Sequence, residues 1–248
     1  MKKPVVAFCY DFDGTLSPGN MQEYGFFESL GARAKRFWKE SETGAKENRA
    51  DPILHYMQYM LEVAVSEKIG TTRRDFMRYG RSIKFFPGVE DWFSRMNGFA
   101  AKQGLKLEHY VVSSGLKELI EGSKIRKHFR EIYACSYEYD NNDSAKWPAV
   151  AVNFTTKTQF LFRINKGIDD ISDNKRVNQY LPEKDRRVPF SRIVYFGDGD
   201  TDVPCMRLVK DKGGYSIAVY EERKKGKRRA AQQLLKDHRV GLKRARHE

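Results

Sequence analysis

Residues 5–15 read Val-Val-Ala-Phe-Cys-Tyr-Asp-Phe-Asp-Gly-Thr, and this stretch decides the fold. The apolar run predicts a buried strand, and Asp11 and Asp13 follow where the run stops and a glycine turn begins. Open α/β proteins bind ligands at the carboxyl ends of their strands. Because successive residues of an extended chain alternate between faces, the two carboxylates can point the same way. One can then attack an electrophile while the other moves a proton.

Two other interpretations compete for this motif. Aspartate and glycine are common turn residues, so Asp-x-Asp-Gly also fits a plain turn after a strand. A calcium-binding EF-hand loop would need glycine at its sixth position and glutamate at its twelfth, but Leu16 and Gln22 stand there. The calcium loop is therefore excluded, and the plain turn stays open on this motif alone.

A second acidic strand end lies far along the chain. Residues 193–202 read Ile-Val-Tyr-Phe-Gly-Asp-Gly-Asp-Thr-Asp, again an apolar run followed by a glycine turn that carries acids. Mg²⁺ takes oxygen ligands, commonly one or two carboxylates together with a substrate phosphate. Two acidic strand ends therefore favour a shared site for a hard divalent cation.

A third strand end supplies hydroxyl groups. Residues 109–115 read His-Tyr-Val-Val-Ser-Ser-Gly. The serine hydroxyls and the backbone N–H groups of this turn suit a phosphate oxygen. Serine also caps helices that follow strands, so this motif by itself leaves ordinary capping open.

Taken in order, these three motifs and a lysine before the last of them resemble the haloacid dehalogenase superfamily of aspartate-nucleophile phosphohydrolases, over residues 5–220. The resemblance implies that Asp11 is the nucleophile that becomes phosphorylated and that Asp13 is the general acid and base. It assigns phosphoryl binding to Ser113, with Ser114 as the alternative. An acid at position 13 favours a phosphatase or phosphotransferase over a dehalogenase.

The resemblance also implies a cofactor and further contacts. The cofactor is Mg²⁺, with Asp198 as a ligand and Asp202 as a second or supporting ligand. The full predicted metal site consists of Asp11, Asp13, Asp198 and Asp202. The predicted substrate contacts, beyond the two serines, are Thr15, Asn20, Glu23 and Gly115.

The lysine of this family neutralises the nucleophile and the phosphate from the start of a helix. Thr156, Lys157 and the apolar pattern after them fit that position, because threonine is a good helix cap and the lysine then lies in the first turn. A basic residue there opposes the helix dipole, which indicates a functional reason. Lys157 is therefore the predicted catalytic lysine, while Lys166 and Lys175, nearer to the last motif, stay open as alternatives.

The chain is predicted to divide into a three-layer, Rossmann-like α/β core and a helical cap. Residues 17–87 have mixed helical spacing and end at a Pro-Gly pair, which is typical of a boundary. They form the predicted cap, and residues 1–16 and 88–248 form the core. In the superfamily, a helical insertion at this point covers the active site, and such lids exclude water and select the substrate.

Two smaller elements complete the predicted core. Residues 131–139 and 149–154 flank the sequence Asp-Asn-Asn-Asp, and this pattern predicts a β-hairpin. Residues 216–220 are apolar and predict the final strand of the sheet.

Positive charge is concentrated at the carboxyl terminus. The 248 residues carry a formal charge of +13, and residues 221–248 hold 11 Lys/Arg against 4 Asp/Glu, which is about half of the excess. The basic run at 223–229 could bind a phosphodiester backbone. A solvated helix is the alternative, and it is favoured because no aromatic residues interleave the run for base stacking. Nucleic acid is therefore the less favoured partner, after a small phosphorylated substrate.

The sequence also indicates the cellular compartment in which the protein is expected. No apolar stretch approaches the roughly 18 residues of a membrane span, so no membrane partner is expected. The amino terminus leads directly into the first strand and does not resemble a signal peptide. The three cysteines, at positions 9, 135 and 205, have no metal-binding spacing. The cytoplasm is the expected compartment.

The substrate is less well defined than the reaction. The cap most resembles that of phosphoserine phosphatases, which place an acid for the substrate amine where this chain has Asn20, although Glu23 could act from a shifted position. The expected function is hydrolysis of a small phosphorylated metabolite. The alternatives are a phosphatase for nucleotides or nucleic-acid ends, and a protein that binds phosphorylated ligands without turning them over.

Overall fold

The computed structural model describes residues 3–221, 226–237, 239–240 and the backbone of 242–246. Seven strands in these ranges form one sheet in the order β4-β3-β2-β1-β5-β6-β7. The strands are β1 (Val5–Tyr10), β2 (Lys106–Leu116), β3 (Phe129–Tyr139), β4 (Ala145–Val150), β5 (Ile193–Gly197), β6 (Tyr215–Glu221) and β7 (Leu242–Arg246). Only the β3–β4 pair is antiparallel. The α/β class and the Rossmann-like sheet are therefore confirmed.

Ten α-helices accompany the sheet in the described part of the chain. They are α1 (Phe26–Leu30), α2 (Ala34–Glu47), α3 (Pro52–Ser66), α4 (Arg73–Gly80), α5 (Val89–Lys102), α6 (Lys117–Gly122), α7 (Lys157–Lys166), α8 (Asn174–Asn178), α9 (Val203–Asp211) and α10 (Lys227–Lys236). Parallel strands are joined by right-handed crossovers. These place α5 and α6 on one face of the sheet, and α9 and α10 on the other, so the core has three layers.

The apolar run that opens the chain becomes the central strand. β1 lies between β2 and β5, in parallel with both. Parallel strands buried on both faces are typically continuous apolar runs, and Ala7 and Cys9 are fully buried. The backbone N–H of Asp11 donates to the Phe196 carbonyl at 2.8 Å. This bond brings the ends of β1 and β5 together, although they lie far apart in sequence.

The predicted hairpin is present as β3 and β4, but the bounds predicted for its second strand are wrong. The turn closes early, with the Asp140 N–H donating to the Ser144 carbonyl at 2.9 Å, so β4 begins at Ala145. Pro148 lies within β4, which is possible because β4 is an edge strand. Residues 154–156 form a 3-10 turn instead of a strand.

The strand predicted at 216–220 is present as β6, but it is not the last. β7 pairs with β6 in parallel and becomes the edge of the sheet. Its sequence, Leu-Lys-Arg-Ala-Arg, has no apolar run or alternation that would predict a strand. A helix is present near the carboxyl terminus as α10, with Ala231 buried and Leu234 and Leu235 packed against the core.

Helices α1 to α4 form the insertion between β1 and α5. Local signals begin two of these helices: Asp51 accepts the N–H groups of Ile53 and Leu54 at 2.9 and 3.0 Å ahead of α3, and Thr72 forms a capping box with Asp75 ahead of α4. The buried apolar cluster continues from the sheet into these helices. The division into a core and a separate cap stays a prediction.

The insertion contacts the core through glycine. A Cβ atom at Gly80, the last residue of α4, would lie 2.0 Å from the Leu119 carbonyl oxygen in α6. A Cβ atom at Gly122, the last residue of α6, would lie 1.9 Å from the Met77 carbonyl oxygen in α4. The two helix backbones are thus in direct contact. The Ala145 N–H also donates to the Thr71 carbonyl at 3.0 Å, which connects the hairpin to the start of α4.

None of the helices in the described ranges combines the length and the apolar character that crossing a bilayer requires.

Candidate active site

The end of β1 places both predicted catalytic carboxylates in one cleft. Asp11 and Asp13 line it, separated by the buried Phe12. The Asp13 carboxylate accepts the Met21 N–H at 2.9 Å. Gly14 has a φ of +68°, and a Cβ atom there would lie 2.5 Å from an oxygen of the Asp198 carboxylate. Glycine is therefore required for the turn and for the close approach of the second acidic motif.

The end of β5 holds Asp202, whose side chain is fully buried. Its carboxylate accepts four hydrogen bonds: from Lys157 Nζ at 2.7 Å, from the Tyr195 hydroxyl at 2.8 Å, and from the N–H groups of Asp198 and Gly199, each at 3.2 Å. A carboxylate has about four lone-pair sites. Asp202 is therefore fully engaged within the protein, and it orients both the lysine and the turn that carries Asp198.

Lys157 lies at the bottom of the cleft and is fully buried. Its Nζ atom donates to Asp11 Oδ1 at 2.9 Å as well as to Asp202. The helix that carries it, α7, follows a 3-10 turn fixed by a capping box between Asn153 and Thr156. The cap residue of this turn is Asn153, and Thr156 makes no side-chain capping bond to α7, so the threonine cap predicted for this helix is wrong although Lys157 does begin it.

The two alternative lysines do not reach the cleft. Lys166 Nζ donates to the carbonyls of Val177 and Gln179 at 2.7 and 2.5 Å, so it holds the loop after α8. Lys175 lies within α8 and is absent from the cleft lining. Lys157 is the lysine that the structure brings to the two aspartates.

Burial shifts the acidities of these groups in useful directions. Burial raises the pKa of Asp11 to about 7, Asp202 adds to the rise, and Lys157 opposes it. Burial and the neighbouring Asp11 carboxylate raise the pKa of Asp13 well above its ordinary value. Burial lowers the pKa of Lys157, but Asp11 and Asp202 outweigh it and raise the pKa above the usual range. The raised pKa keeps the Lys157 ammonium group protonated, and the raised pKa of Asp13 suits a group that donates a proton.

Carboxylate oxygens suited to a divalent cation come together here. Asp11, Asp198 and Asp202 each offer an oxygen, and these oxygens lie within 4.8 Å of one another. This hard, all-oxygen set fits Mg²⁺. Because the Asp202 carboxylate already accepts four hydrogen bonds, Asp11 and Asp198 are the better candidates for ligands of a metal ion. The Asp13 carboxylate, which the resemblance assigns to the same set, is not part of this group and accepts a backbone N–H instead.

The serine motif lies at the end of β2, opposite the aspartates. The Ser113 hydroxyl oxygen accepts the Gly115 N–H at 3.0 Å, which leaves its proton for a phosphate oxygen. The Ser114 hydroxyl is buried without a hydrogen-bond partner. Both serines and Gly115 line the cleft. A Cβ atom at Gly115 would lie 2.1 Å from the Met21 side chain, so glycine lets the insertion approach this strand.

Asn20 and Glu23 lie on the wall of the same cleft. Asn20 occupies the N-cap position of a short 3-10 helix but makes no side-chain capping bond. Its amide donates instead to Glu23 Oε1 at 2.8 Å. The Trp38 indole N–H donates to the same oxygen at 3.3 Å. The Glu23 carboxylate is thus oriented by two donors.

Thr15 is placed differently from its prediction. It does not line the cleft but a second, largely apolar cavity of about 540 Å³ beside Phe86. The turn at Gly14 explains this, because the N–H groups of Thr15 and Leu16 both return to the Phe12 carbonyl, at 3.1 and 2.8 Å. The chain therefore reverses direction at Thr15, which explains why Thr15 lies outside the cleft that Asp11 and Asp13 line.

Some residues that line the site or support it belong to no sequence motif, so the sequence does not predict their place in the site. Tyr195 precedes the acidic turn within an apolar strand, and its hydroxyl reaches Asp202. Trp38, Tyr56 and Phe154 line the cleft from the insertion and from the turn before α7. Aromatic residues at helical spacing indicate a core, and only the fold shows that these three border a cleft of about 560 Å³.

The comparisons with known proteins agree with this architecture. The haloacid dehalogenase-like hydrolase family model matches residues 8–207, and the chain belongs to this family. An uncharacterized protein of Borreliella burgdorferi is 27% identical over 267 aligned positions, which cover 97% of this chain and 90% of that protein.

Solved structures show the same fold at low identity. A phosphoserine phosphatase with an analogue of its phospho-aspartyl intermediate aligns with a TM-score of 0.55 and 16% identity, covering 98% of this chain and 93% of that one. A HAD family hydrolase from Salmonella enterica serovar Typhi aligns with a TM-score of 0.59 and 14% identity. This chain is covered to 96% in that alignment and spans 66% of the Salmonella chain. These similarities establish the fold.

Proposed function

We propose that this protein is a Mg²⁺-dependent phosphomonoester hydrolase that forms an aspartyl-phosphate on Asp11. One observation carries the proposal: Lys157 Nζ lies 2.9 Å from Asp11 Oδ1, in the cleft that Asp13 and Ser113 also line. A nucleophile, an acid, a fixed cation and a hydroxyl donor are the groups that phosphoryl transfer to a carboxylate requires. Phosphatases of this fold support the same assignment.

In the first step, an Asp11 oxygen attacks phosphorus in line and the bond from phosphorus to the leaving oxygen breaks. Asp13 gives its proton to that oxygen, so an alcohol leaves. In the second step, Asp13 takes a proton from a water molecule, whose oxygen attacks the same phosphorus. Inorganic phosphate leaves and the Asp11 carboxylate returns. Lys157 balances negative charge at Asp11 throughout, and the Ser113 hydroxyl donates to a non-bridging phosphoryl oxygen.

Asp11 and Asp198 would hold the Mg²⁺ ion. When bound, the ion supplies positive charge that reduces repulsion between the phosphate and the carboxylates. Asp202 contributes by fixing the turn of Asp198. This assignment rests on the carboxylate oxygens that lie within 4.8 Å of one another.

The test is phosphate release from p-nitrophenyl phosphate with and without Mg²⁺. We expect Mg²⁺-dependent turnover that Asp11→Asn abolishes, because an amide oxygen is a poor nucleophile. Asp211→Asn is the matched control, since Asp211 pairs with Arg207 on the surface of α9, and it should retain full activity. Full activity in Asp11→Asn would refute the nucleophile assignment.

A selective enzyme could refuse this generic ester, so a second measurement is needed. Beryllium fluoride mimics the phosphoryl group on an aspartate, and its binding can be followed by ¹⁹F NMR. We expect Mg²⁺-dependent binding to the wild type and none to Asp11→Asn. Binding without turnover of any phosphomonoester would favour the non-catalytic alternative.

The nucleic-acid alternative depends on the basic run at 223–229. Residues 223–225 lie outside the described residues, while Arg228 and Arg229 are exposed on α10. A small phosphorylated metabolite remains our proposed substrate, and the cytoplasm the proposed compartment. Salt-sensitive inhibition of p-nitrophenyl phosphate turnover by a single-stranded oligonucleotide would favour the alternative.

A further inference from the structure

The cleft that Asp11, Asp13 and Lys157 line also has an apolar wall. The residues of this wall come from α2, α3, the chain before α5 and the turn before α7: Trp38, Ile53, Tyr56, Phe86 and Phe154. Four of these five residues are aromatic. The cleft volume of about 560 Å³ is in the range of sites that bury an organic ligand. A phosphoryl group fills only part of such a volume, so space remains beside this wall for a leaving group.

Phe154 is an aromatic surface that is open to a ligand. Its side chain is 46% exposed, and it makes no ring contact within the described part of the chain. The backbone that carries it is held in place, because the Asn153 N–H donates to the Thr156 hydroxyl at 2.7 Å and closes the turn. Lys157 follows three residues later and lines the same cleft, so this exposed ring borders the cleft that also holds Asp11.

Trp38 is held rigidly on the wall formed by the insertion. Its ring packs against Phe37 at 5.2 Å and Tyr56 at 5.7 Å between centroids. Its indole N–H is fixed by Glu23. Because the Trp38 ring is already held in place, it loses little conformational entropy when a flat group packs against it, and Phe154 offers a second aromatic surface on the same cleft.

The charges of the cleft exclude additional negative groups on the leaving group. Six acidic residues line it: Asp11, Asp13, Glu23, Asp198, Asp200 and Glu221. Asp11 and Asp198 would hold the Mg²⁺ ion and Asp13 the transferred proton, so Glu23, Asp200 and Glu221 are the acids that remain beside the leaving group. Among the described residues, Lys157 is the one cation in the lining, and its ammonium group already binds Asp11 and Asp202. A carboxylate or second phosphate beyond the ester would therefore meet like charge without a described partner, which is an effective means of rejection.

From these observations, and resting on the proposed phosphatase activity, we infer that the substrate is a monophosphate of a flat, apolar alcohol that carries no other negative charge. The overall charge of +13 attracts the phosphate, and the acidic lining then selects against polyanions. Phosphoserine, which carries a carboxylate next to its ester, is expected to be a poor substrate.

The first test compares benzyl phosphate, ethyl phosphate and 4-carboxybenzyl phosphate. The leaving alcohols have similar acidity, so differences in kcat/KM report on the leaving-group site. We expect benzyl phosphate to exceed ethyl phosphate about tenfold, from apolar burial and aromatic contact. The carboxylate of 4-carboxybenzyl phosphate should lower its kcat/KM to about that of ethyl phosphate. If ethyl and benzyl phosphate are hydrolysed equally well, the phosphatase assignment stands and this inference fails.

The second test needs no turnover. Benzylphosphonate and ethylphosphonate resemble the esters but cannot be hydrolysed, and their affinities follow from calorimetry with Mg²⁺ present. We expect benzylphosphonate to bind about tenfold more tightly, which corresponds to about 1.4 kcal/mol. Equal affinities would overturn the inference even if no phosphomonoester were hydrolysed, so its failure is distinguishable from that of the proposed function.

A pair of variants locates the effect. Phe154→Ala should reduce the benzyl-to-ethyl affinity ratio at least threefold, because the open ring is lost. Phe99→Ala is the matched control: Phe99 is 63% exposed but lies on α5 outside the cleft, and its ratio should equal that of the wild type. An unchanged benzyl-to-ethyl affinity ratio in Phe154→Ala would show that Phe154 does not contact the leaving group.

Discussion

The glycine contact between α4 and α6 allows a quantitative prediction. Replacing Gly80 by alanine would place a methyl carbon 2.0 Å from the Leu119 carbonyl oxygen, and the nearest obstacles are backbone atoms. Backbone cannot rotate aside as a flexible side chain can. Helix α4 must therefore move away from α6, which directly follows the strand end that carries Ser113.

The size of the effect follows from the geometry. Carbon–oxygen contacts are ordinarily no shorter than about 3.3 Å, so α4 must move by about 1.3 Å from the 2.0 Å contact. Overpacking of this kind costs about 1–3 kcal/mol. Gly80 ends its helix, so the gain in helix propensity from alanine is small. We expect a loss of about 2 kcal/mol, equivalent to a Tm lower by roughly 4–8 °C.

Urea denaturation and thermal melts measure this loss, and α5 offers a matched control. A Cβ atom at Gly98 meets nothing within 4 Å, so Gly98→Ala should stabilise the protein by about 1 kcal/mol through helix propensity. The two substitutions are chemically identical and are predicted to have opposite signs. A Gly80→Ala protein as stable as the wild type or as Gly98→Ala would show that the helices are not in rigid contact.

Three further predictions concern charge, backbone conformation and pH. Lys157→Met leaves two buried carboxylates without their cation and should lower the free energy of unfolding in urea by about 3–5 kcal/mol, whereas Lys166→Met should cost only about 1 kcal/mol. Gly14→Ala collides with Asp198 and should lower kcat about 100-fold while the circular dichroism spectrum is retained. Burial and the neighbouring His128 lower the pKa of His109 to about 4. The unfolded chain therefore binds this proton more readily, so the contribution of His109 to stability falls from pH 6.5 towards pH 4, and the Tm of His109→Phe relative to the wild type should rise over that range.

The meeting of Asp11 and Lys157 could be predicted because both residues are adjacent to local sequence signals. Asp11 follows an apolar run directly, and Lys157 is the first residue of the helix that the apolar pattern after it predicts. In both cases the predicted site residue is adjacent to the signal that begins or ends its secondary structure. The order of the motifs then indicates that these ends meet at one edge of a sheet.

The remaining features depend on contacts between distant parts of the chain. The position of Thr15 is set by how tightly the turn at Gly14 closes, and a glycine alone does not specify this. β7 has a polar sequence and exists because β6 offers it an open edge. Trp38 lies on the cleft because the insertion folds over the sheet, and its helical spacing is also that of an ordinary core residue.

The position of β1 has a consequence for how the protein acquires activity as it folds. Its two neighbours, β2 and β5, begin at Lys106 and Ile193, so the central strand must wait for chain that is synthesised much later. Contacts over such sequence separations form slowly. Asp11 and Asp198 become neighbours only when β5 adds to β1, and no earlier folding intermediate can contain both halves of the site. The return of enzymatic activity during refolding should therefore report on that single pairing event.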